Sequence, residues 1–135
     1  MADYEYTTEL DVRFRDLDAM GHVNNAVYAT YLEQARADYY ADIIDVPLPE
    51  ADTVLVNLSI AYQRPITADE RVTVALGVGD LGESSIPMEY EIRTGEGVAA
   101  TAETVQVVFD RETGDSRPIP QDWRDRITRY AQSVE

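Results

Sequence analysis

A chain of 135 residues, 44% hydrophobic and 27% charged, can bury one sizeable core but leaves no length for a separate cofactor domain, so a single domain over residues 1–135 is expected. No apolar run reaches the roughly 18 residues of a membrane span, and the first twenty residues lack the basic and apolar parts of a secretory leader, which points to the cytoplasm. Without cysteine there is no disulfide, thiolate nucleophile or thiolate-bound metal, and one histidine cannot build a multi-histidine centre. No metal and no cofactor are expected, and the chemistry falls to carboxylates, hydroxyls, one imidazole and the backbone.

All eleven cations are Arg and none is Lys; against 26 acids they leave a net charge of -15. Such a surface repels nucleic acid and anionic membrane, so neither is expected as a partner. A dense carboxylate exterior also suits concentrated salt, where a Debye length of about 3 Å at 1 M mutes self-repulsion. A halophilic protein is therefore the preferred reading over an ordinary acidic one.

Taken in chain order, Leu10, Val12 and Phe14 alternate with Asp11, Arg13 and Arg15 and predict a first strand. Tyr28, Leu32, Ala35, Tyr39 and Ile43 then recur at helical spacing. One long helix is predicted from Asn24 or Asn25, both good N-cap residues, to a stop before Pro47; residues 24–44 would span about 32 Å and cross the whole sheet. Four further alternating runs predict strands. The first carries Val54, Val56, Leu58, Ile60 and Tyr62 on its apolar face; the next two run Val72 to Val78 and Ile86 to Ile92; the last begins near Val98 and ends through Val105, Val107 and Phe109. Short, turn-rich links between these four favour antiparallel neighbours.

Trp123, Ile127 and Tyr130 give a short amphipathic helix after Pro118 and Pro120. The order β-α-β-β-β-β is an α+β, two-layer arrangement of a five-stranded antiparallel sheet with one long helix and a short C-terminal helix. Thr73, Ala75, Ala100, Ala102 and Thr104, small residues on the other strand faces, are expected in part to meet another subunit. Two motif matches carry no chemistry. Gly77-x-Gly79-x-x-Gly82 leads into an alternating strand with Pro87 instead of a phosphate-binding helix, and Asn57-Leu58-Ser59 sits inside a strand of a chain read as cytoplasmic.

The informative stretch runs from Phe14 to Asn25: a strand end, a turn holding two acids and the only His, then the helix start. Asp18 followed by Gly21 suits a type I turn. It also suits a carboxylate placed at the free N–H groups and positive end of a helix dipole. In that second reading the N–H groups hold the oxyanion of a carbonyl substrate while Asp18 activates water or attacks the carbonyl itself, which is acyl-transfer chemistry. Asp16 is assigned to the backbone of the turn. His22 is placed to orient substrate or move a proton, with a hydrogen-bonded structural role as its alternative. Asn24 and Asn25 compete for the cap, leaving one carboxamide for the carbonyl or a water. Glu33, about 12 Å along the helix from Asn25, is assigned to a pair with Arg36.

The run Phe14-x-Asp16-x-Asp18-x-x-Gly21-His22-Val23-Asn24-Asn25, with Tyr28 and Tyr31-Leu32-Glu33-x-Ala35-Arg36, resembles the signature of the hotdog-fold acyl-CoA thioesterases of the 4-hydroxybenzoyl-CoA thioesterase family. Tyr62-Gln63-Arg64-Pro65-Ile66 and the Ala-rich last strand resemble further segments of that family, so the likeness covers residues 10 to about 120. It implies a sheet wrapped around a central helix, a homodimer joined edge to edge or a homotetramer, and hydrolysis of an acyl-CoA to a carboxylic acid and free coenzyme A. It also implies Asp18 as the catalytic carboxylate and an oxyanion held by backbone N–H near Asn25. The partner's second-strand region completes the site. Asn24 and Tyr28 are expected to touch substrate. Arg64, or Arg124, Arg126 and Arg129, are candidates for the coenzyme phosphates, against a structural role for the last three in pairs with Asp122 and Asp125 or at a helix end. Leu17 departs from the smaller or polar residue common between the two acids. The rival readings are a hydratase on the same fold and a non-catalytic acyl-CoA-binding protein.

Overall fold

The computed structural model describes residues 4–134. Its elements are β1 (Tyr6–Asp11), a 3-10 turn (Phe14–Asp16), α1 (Val27–Tyr39) continued by a π-turn (Tyr40–Ile44), β2 (Thr53–Tyr62), β3 (Arg71–Val78), β4 (Ser85–Thr94), β5 (Gly97–Val108) and α2 (Gln121–Ser133). The five strands form one antiparallel sheet in the order β1-β3-β4-β5-β2, and α1 packs across β1 and β3. This is the element order expected from the hydrophobic periodicity. None of the described helices is long and apolar enough to cross a membrane.

The core follows from two periods meeting. β4 buries Ile86, Met88, Tyr90 and Ile92 at every second position, and α1 buries Tyr28, Tyr31, Leu32, Ala35 and Tyr39 along one face. Each fully buried Leu or Ile contributes about 1.5–3 kcal/mol relative to exposure. α2 adds Trp123 and Ile127 to the same core.

Several expectations are corrected. The first strand starts at Tyr6 and stops at Asp11. Phe14 is not on it: the Arg13 amide donates to Asp16 Oδ2 and the Asp16 amide to the Arg13 carbonyl, both at 2.9 Å, which turns the chain and leaves the Phe14 ring 92% exposed. The helix starts at Val27 rather than Asn24 or Asn25, because the Asn24 side chain and carbonyl accept the amides of Ala26 and Val27, each at 2.9 Å, in a turn ahead of it. It stops at Asp45, whose φ of +67° leaves the helical region before Pro47.

The faces of β2 and β5 differ from expectation for one reason, the strand order. β2 lies at the sheet edge opposite β1 and β3, against which α1 packs, and meets α1 at its end through the Tyr28–Tyr62 ring contact, so Val54, Val56 and Leu58 are exposed, Tyr62 half exposed and Ile60 half-buried. The strand also shifts register between Leu55 and Asn57. β5 is interior, and its buried face is the small and polar one: Ala100, Ala102, Thr104, Gln106 and Val108. Ala100, Ala102 and Thr104 therefore meet the core, where large side chains fill the space above them. Tyr90 Oη and Thr104 Oγ1 share a hydrogen bond of 2.7 Å, and Tyr40 Oη donates to Gln106 Oε1 at 2.9 Å. Ala75 is likewise buried within the chain.

Arg36 does not pair with Glu33. It lies one turn beyond Leu32 on the buried face, is 6% exposed, and its Nη1 donates to Tyr90 Oη at 3.4 Å. Arg124 and Arg126 likewise form no pair with Asp122 or Asp125. Arg124 donates to the carbonyls of Gly82 and Glu83, and Arg126 to the carbonyl of Ile44, where it meets the negative end of α1 rather than of its own helix.

Candidate active site

The segment between the 3-10 turn and α1 is a tight loop built on Asp18. Its amide donates to the His22 carbonyl at 2.7 Å, its carbonyl accepts the Gly21 amide at 3.1 Å, and its Oδ1 accepts the amides of Met20 and His22 at 2.9 and 3.2 Å. Gly21 takes the left-handed φ of +79° that closes this loop and that other side chains rarely adopt. Oδ1 therefore organises the turn, while Oδ2 makes no hydrogen bond within the described residues. The loop is fastened at both ends, by Val23 N to Ile66 O and by Asn24 N to Asp16 O, each at 2.8 Å.

Asp16 points elsewhere. Its Oδ2 accepts the Tyr31 hydroxyl at 2.8 Å as well as the Arg13 amide. Burial, then the Asp16 contact, push the Tyr31 phenol well above its ordinary range, so that hydroxyl stays a donor. The two acids therefore serve opposite sides of the chain, Asp16 inward and Asp18 outward.

Asp18, His22, Asn25, Tyr28, Tyr62 and Arg64 line a cavity of about 300 Å³, closed further by Val23, Gln63 and Pro65. Five of the six residues proposed from sequence are brought together here; Asn24 lies alongside, its carboxamide oxygen occupied by the Ala26 amide. The Asn25 amide, two residues ahead of α1, makes no hydrogen bond within the described residues.

Tyr28 is buried and forms the cavity wall with its ring. It meets the Tyr62 ring edge to face at 4.9 Å, and its hydroxyl donates to the Arg64 carbonyl at 3.4 Å. Burial raises its phenol. The Arg64 guanidinium is held by Glu70 Oε1 at 3.0 Å and by the Pro65 carbonyl at 3.1 Å, while its buried Nε has no partner among the described residues. Glu70 in turn accepts the Thr67 amide at 2.7 Å. Its own burial opposes ionisation, but the Thr67 amide, the Thr94 hydroxyl and Arg64 together lower its carboxyl below the ordinary 4.5. Arg64 thus brings hydrogen-bonding capacity to the wall with its charge already balanced.

Tyr62 in the cavity wall and Glu70 on Arg64 both go beyond the sequence expectation. Tyr62 reads in sequence as the last member of an apolar strand face, yet its hydroxyl donates to the Asn25 carbonyl at 2.8 Å. The signal was its position, since a Tyr at a strand end next to Gln63 and Arg64 is free to leave the apolar face.

Asp18 and Asn25 thus line one cavity just ahead of α1. Residues 12–127 match the Thioesterase-like superfamily, and the chain belongs to that family. It is 30% identical over 125 residues to the long-chain acyl-CoA thioesterase FadM of Escherichia coli, covering 89% of this chain and 95% of that protein. It is 28% identical over 137 residues to the 1,4-dihydroxy-2-naphthoyl-CoA hydrolase of Synechococcus elongatus, covering 91% and 96% respectively. A thioesterase from Thermus thermophilus, crystallised with coenzyme A and zinc, superposes with a TM-score of 0.87 at 36% identity over 95% of each chain.

Proposed function

We propose that this thioester hydrolase, one hotdog domain over residues 1–135, cleaves an acyl-CoA to a carboxylic acid and free coenzyme A in the Asp18 cavity. The reading rests on one observation above all: Asp18, with an uncommitted carboxylate oxygen, and Asn25, whose amide makes no hydrogen bond within the described residues, line the same 300 Å³ space. A thioester carbonyl has weak resonance protection and needs only a positioned carboxylate, water and an oxyanion donor. With Asp18 as base, the carboxylate takes a proton from water and the oxygen adds to the carbonyl. The oxyanion forms against the Asn25 N–H and the positive end of α1, and the C–S bond then breaks as the thiolate leaves and takes up a proton. With Asp18 as nucleophile, its carboxylate oxygen adds to the carbonyl, the C–S bond breaks as the coenzyme A thiolate leaves and takes up a proton, and water cleaves the resulting mixed anhydride to the free acid and the Asp18 carboxylate. His22 borders the same space and orients substrate or carries a proton.

FadM acts on long acyl chains and the Synechococcus enzyme on an aromatic acyl group, so both classes belong in the substrate search. We propose further that the chain works in a salt-rich cytoplasm as an edge-to-edge homodimer or a homotetramer. The exposed Val54, Val56 and Leu58 on the edge strand β2 support the assembly, and the charge of -15 supports the salt requirement.

The test is thiol release from benzoyl-CoA and palmitoyl-CoA in molar salt, comparing the parent with Asp18→Asn. The variant should lose roughly a hundredfold or more in rate while binding is kept. Equal turnover by both proteins removes Asp18 from the mechanism. Loss of an enoyl thioester's absorbance without thiol release would indicate a hydratase, and saturable binding without turnover a binding protein.

A further inference from the structure

The contact between the Tyr62 hydroxyl and the Asn25 carbonyl, 2.8 Å long, joins the end of β2 to the start of α1 across 37 residues of sequence. From it we infer that Tyr62 is a positioning residue for the oxyanion-binding amide, an assignment that rests on the thioesterase reading of the cavity. The Asn25–Ala26 peptide is held at both ends, its N–H by Asn24 Oδ1 at 2.9 Å and its C=O by Tyr62. The preceding Asn24–Asn25 peptide has its carbonyl engaged by the Val27 amide at 2.9 Å, and its N–H is the free Asn25 donor. Peptide units are planar, so fixing both neighbours of the Asn25 Cα restrains the two dihedrals that aim this N–H.

Aim matters because an oxyanion donor works only within about 2.7–3.1 Å of the developing charge. Tyr62 suits the task and little else. Its side chain is half exposed, so it adds little to the core, and its hydroxyl makes this one hydrogen bond within the described residues. The edge-to-face contact with Tyr28 holds the ring in place independently of the hydroxyl.

Tyr62→Phe isolates the hydroxyl. With benzoyl-CoA and palmitoyl-CoA as probes, kcat should fall about tenfold while KM stays within about twofold and Tm is unchanged. In the 15N-labelled protein the order parameters of the Asn25 and Ala26 amides should fall while those of the rest of α1 hold. Tyr62→Ala, which also removes the ring, should raise KM in addition. Unchanged kcat and unchanged amide order in Tyr62→Phe overturn the inference. So does a lowered Tm with unaltered turnover per folded molecule, the mark of a merely structural residue. If the parent hydrolyses neither probe, it is the thioesterase reading that fails; the amide measurement then decides alone, and an Asn25 amide as ordered in Tyr62→Phe as in the parent rejects Tyr62 as its anchor.

Discussion

Tyr31 donates its hydroxyl to Asp16 Oδ2 at 2.8 Å, and the same oxygen accepts the Arg13 amide at 2.9 Å, so one carboxylate oxygen ties the central helix to the turn that leads into the active-site loop. The Asp16 carbonyl then accepts the Asn24 amide at 2.8 Å. Tyr31→Phe keeps the ring and removes a hydrogen bond to a buried carboxylate. It should cost about 1.5–3 kcal/mol, read as a fall in Tm of roughly 5–10 °C in thermal unfolding. An unchanged Tm would mean that solvent replaces the lost donor at no cost.

The Glu70 pair gives a pH dependence of known sign. Its folded-state carboxyl lies below the ordinary 4.5, so the stability it adds is present above that value and is lost as the pH falls through the lower, folded one. Glu70→Gln should therefore lower Tm at pH 7, and the gap from the parent should close as the medium is acidified below 4.5. A gap that widens on acidification contradicts the assignment.

Raising salt from roughly 0.1 M to 1 M shortens the Debye length from about 10 Å to about 3 Å. With a net charge of -15 on 135 residues, Tm should climb steeply over that range, and dialysis into dilute buffer should loosen or unfold the chain. A flat Tm against salt removes the halophilic reading and leaves an ordinary acidic protein.

Leu58 is exposed on the edge strand, where a substitution leaves the core of the single chain untouched. Leu58→Asp should place a charge in the proposed contact between copies and shift sedimentation from the assembly to the single chain. A variant that sediments like the parent would put the contact elsewhere.

Residue pattern reveals period more readily than side. The alternation of Ile86, Met88, Tyr90 and Ile92 identifies both the strand and its buried face, since these large apolar residues of β4 all lie on one side and Glu89, Glu91 and Arg93 on the other. In β2 the same alternation marked the strand correctly but not the absence of a cover over it, which depends on its place at the end of the sheet. In β5 the larger Val105, Val107 and Phe109 misled, because the core beside Tyr40 and Tyr90 has room only for Ala100, Ala102 and Thr104 and rewards a polar Gln106. Asp18, His22 and Asn25 were legible because one short stretch of chain carries all three. Tyr62 was not, since only the folded topology brings its strand end against the helix start.

The grip of Arg126 on the Ile44 carbonyl has a consequence for synthesis. A ribosome delivers residue 44 long before residue 126, so during translation the far end of the central rod waits uncapped for the final segment. Nascent chains halted short of that arginine should be open to proteolytic cutting around residues 40–46, and release of the full chain should close that window.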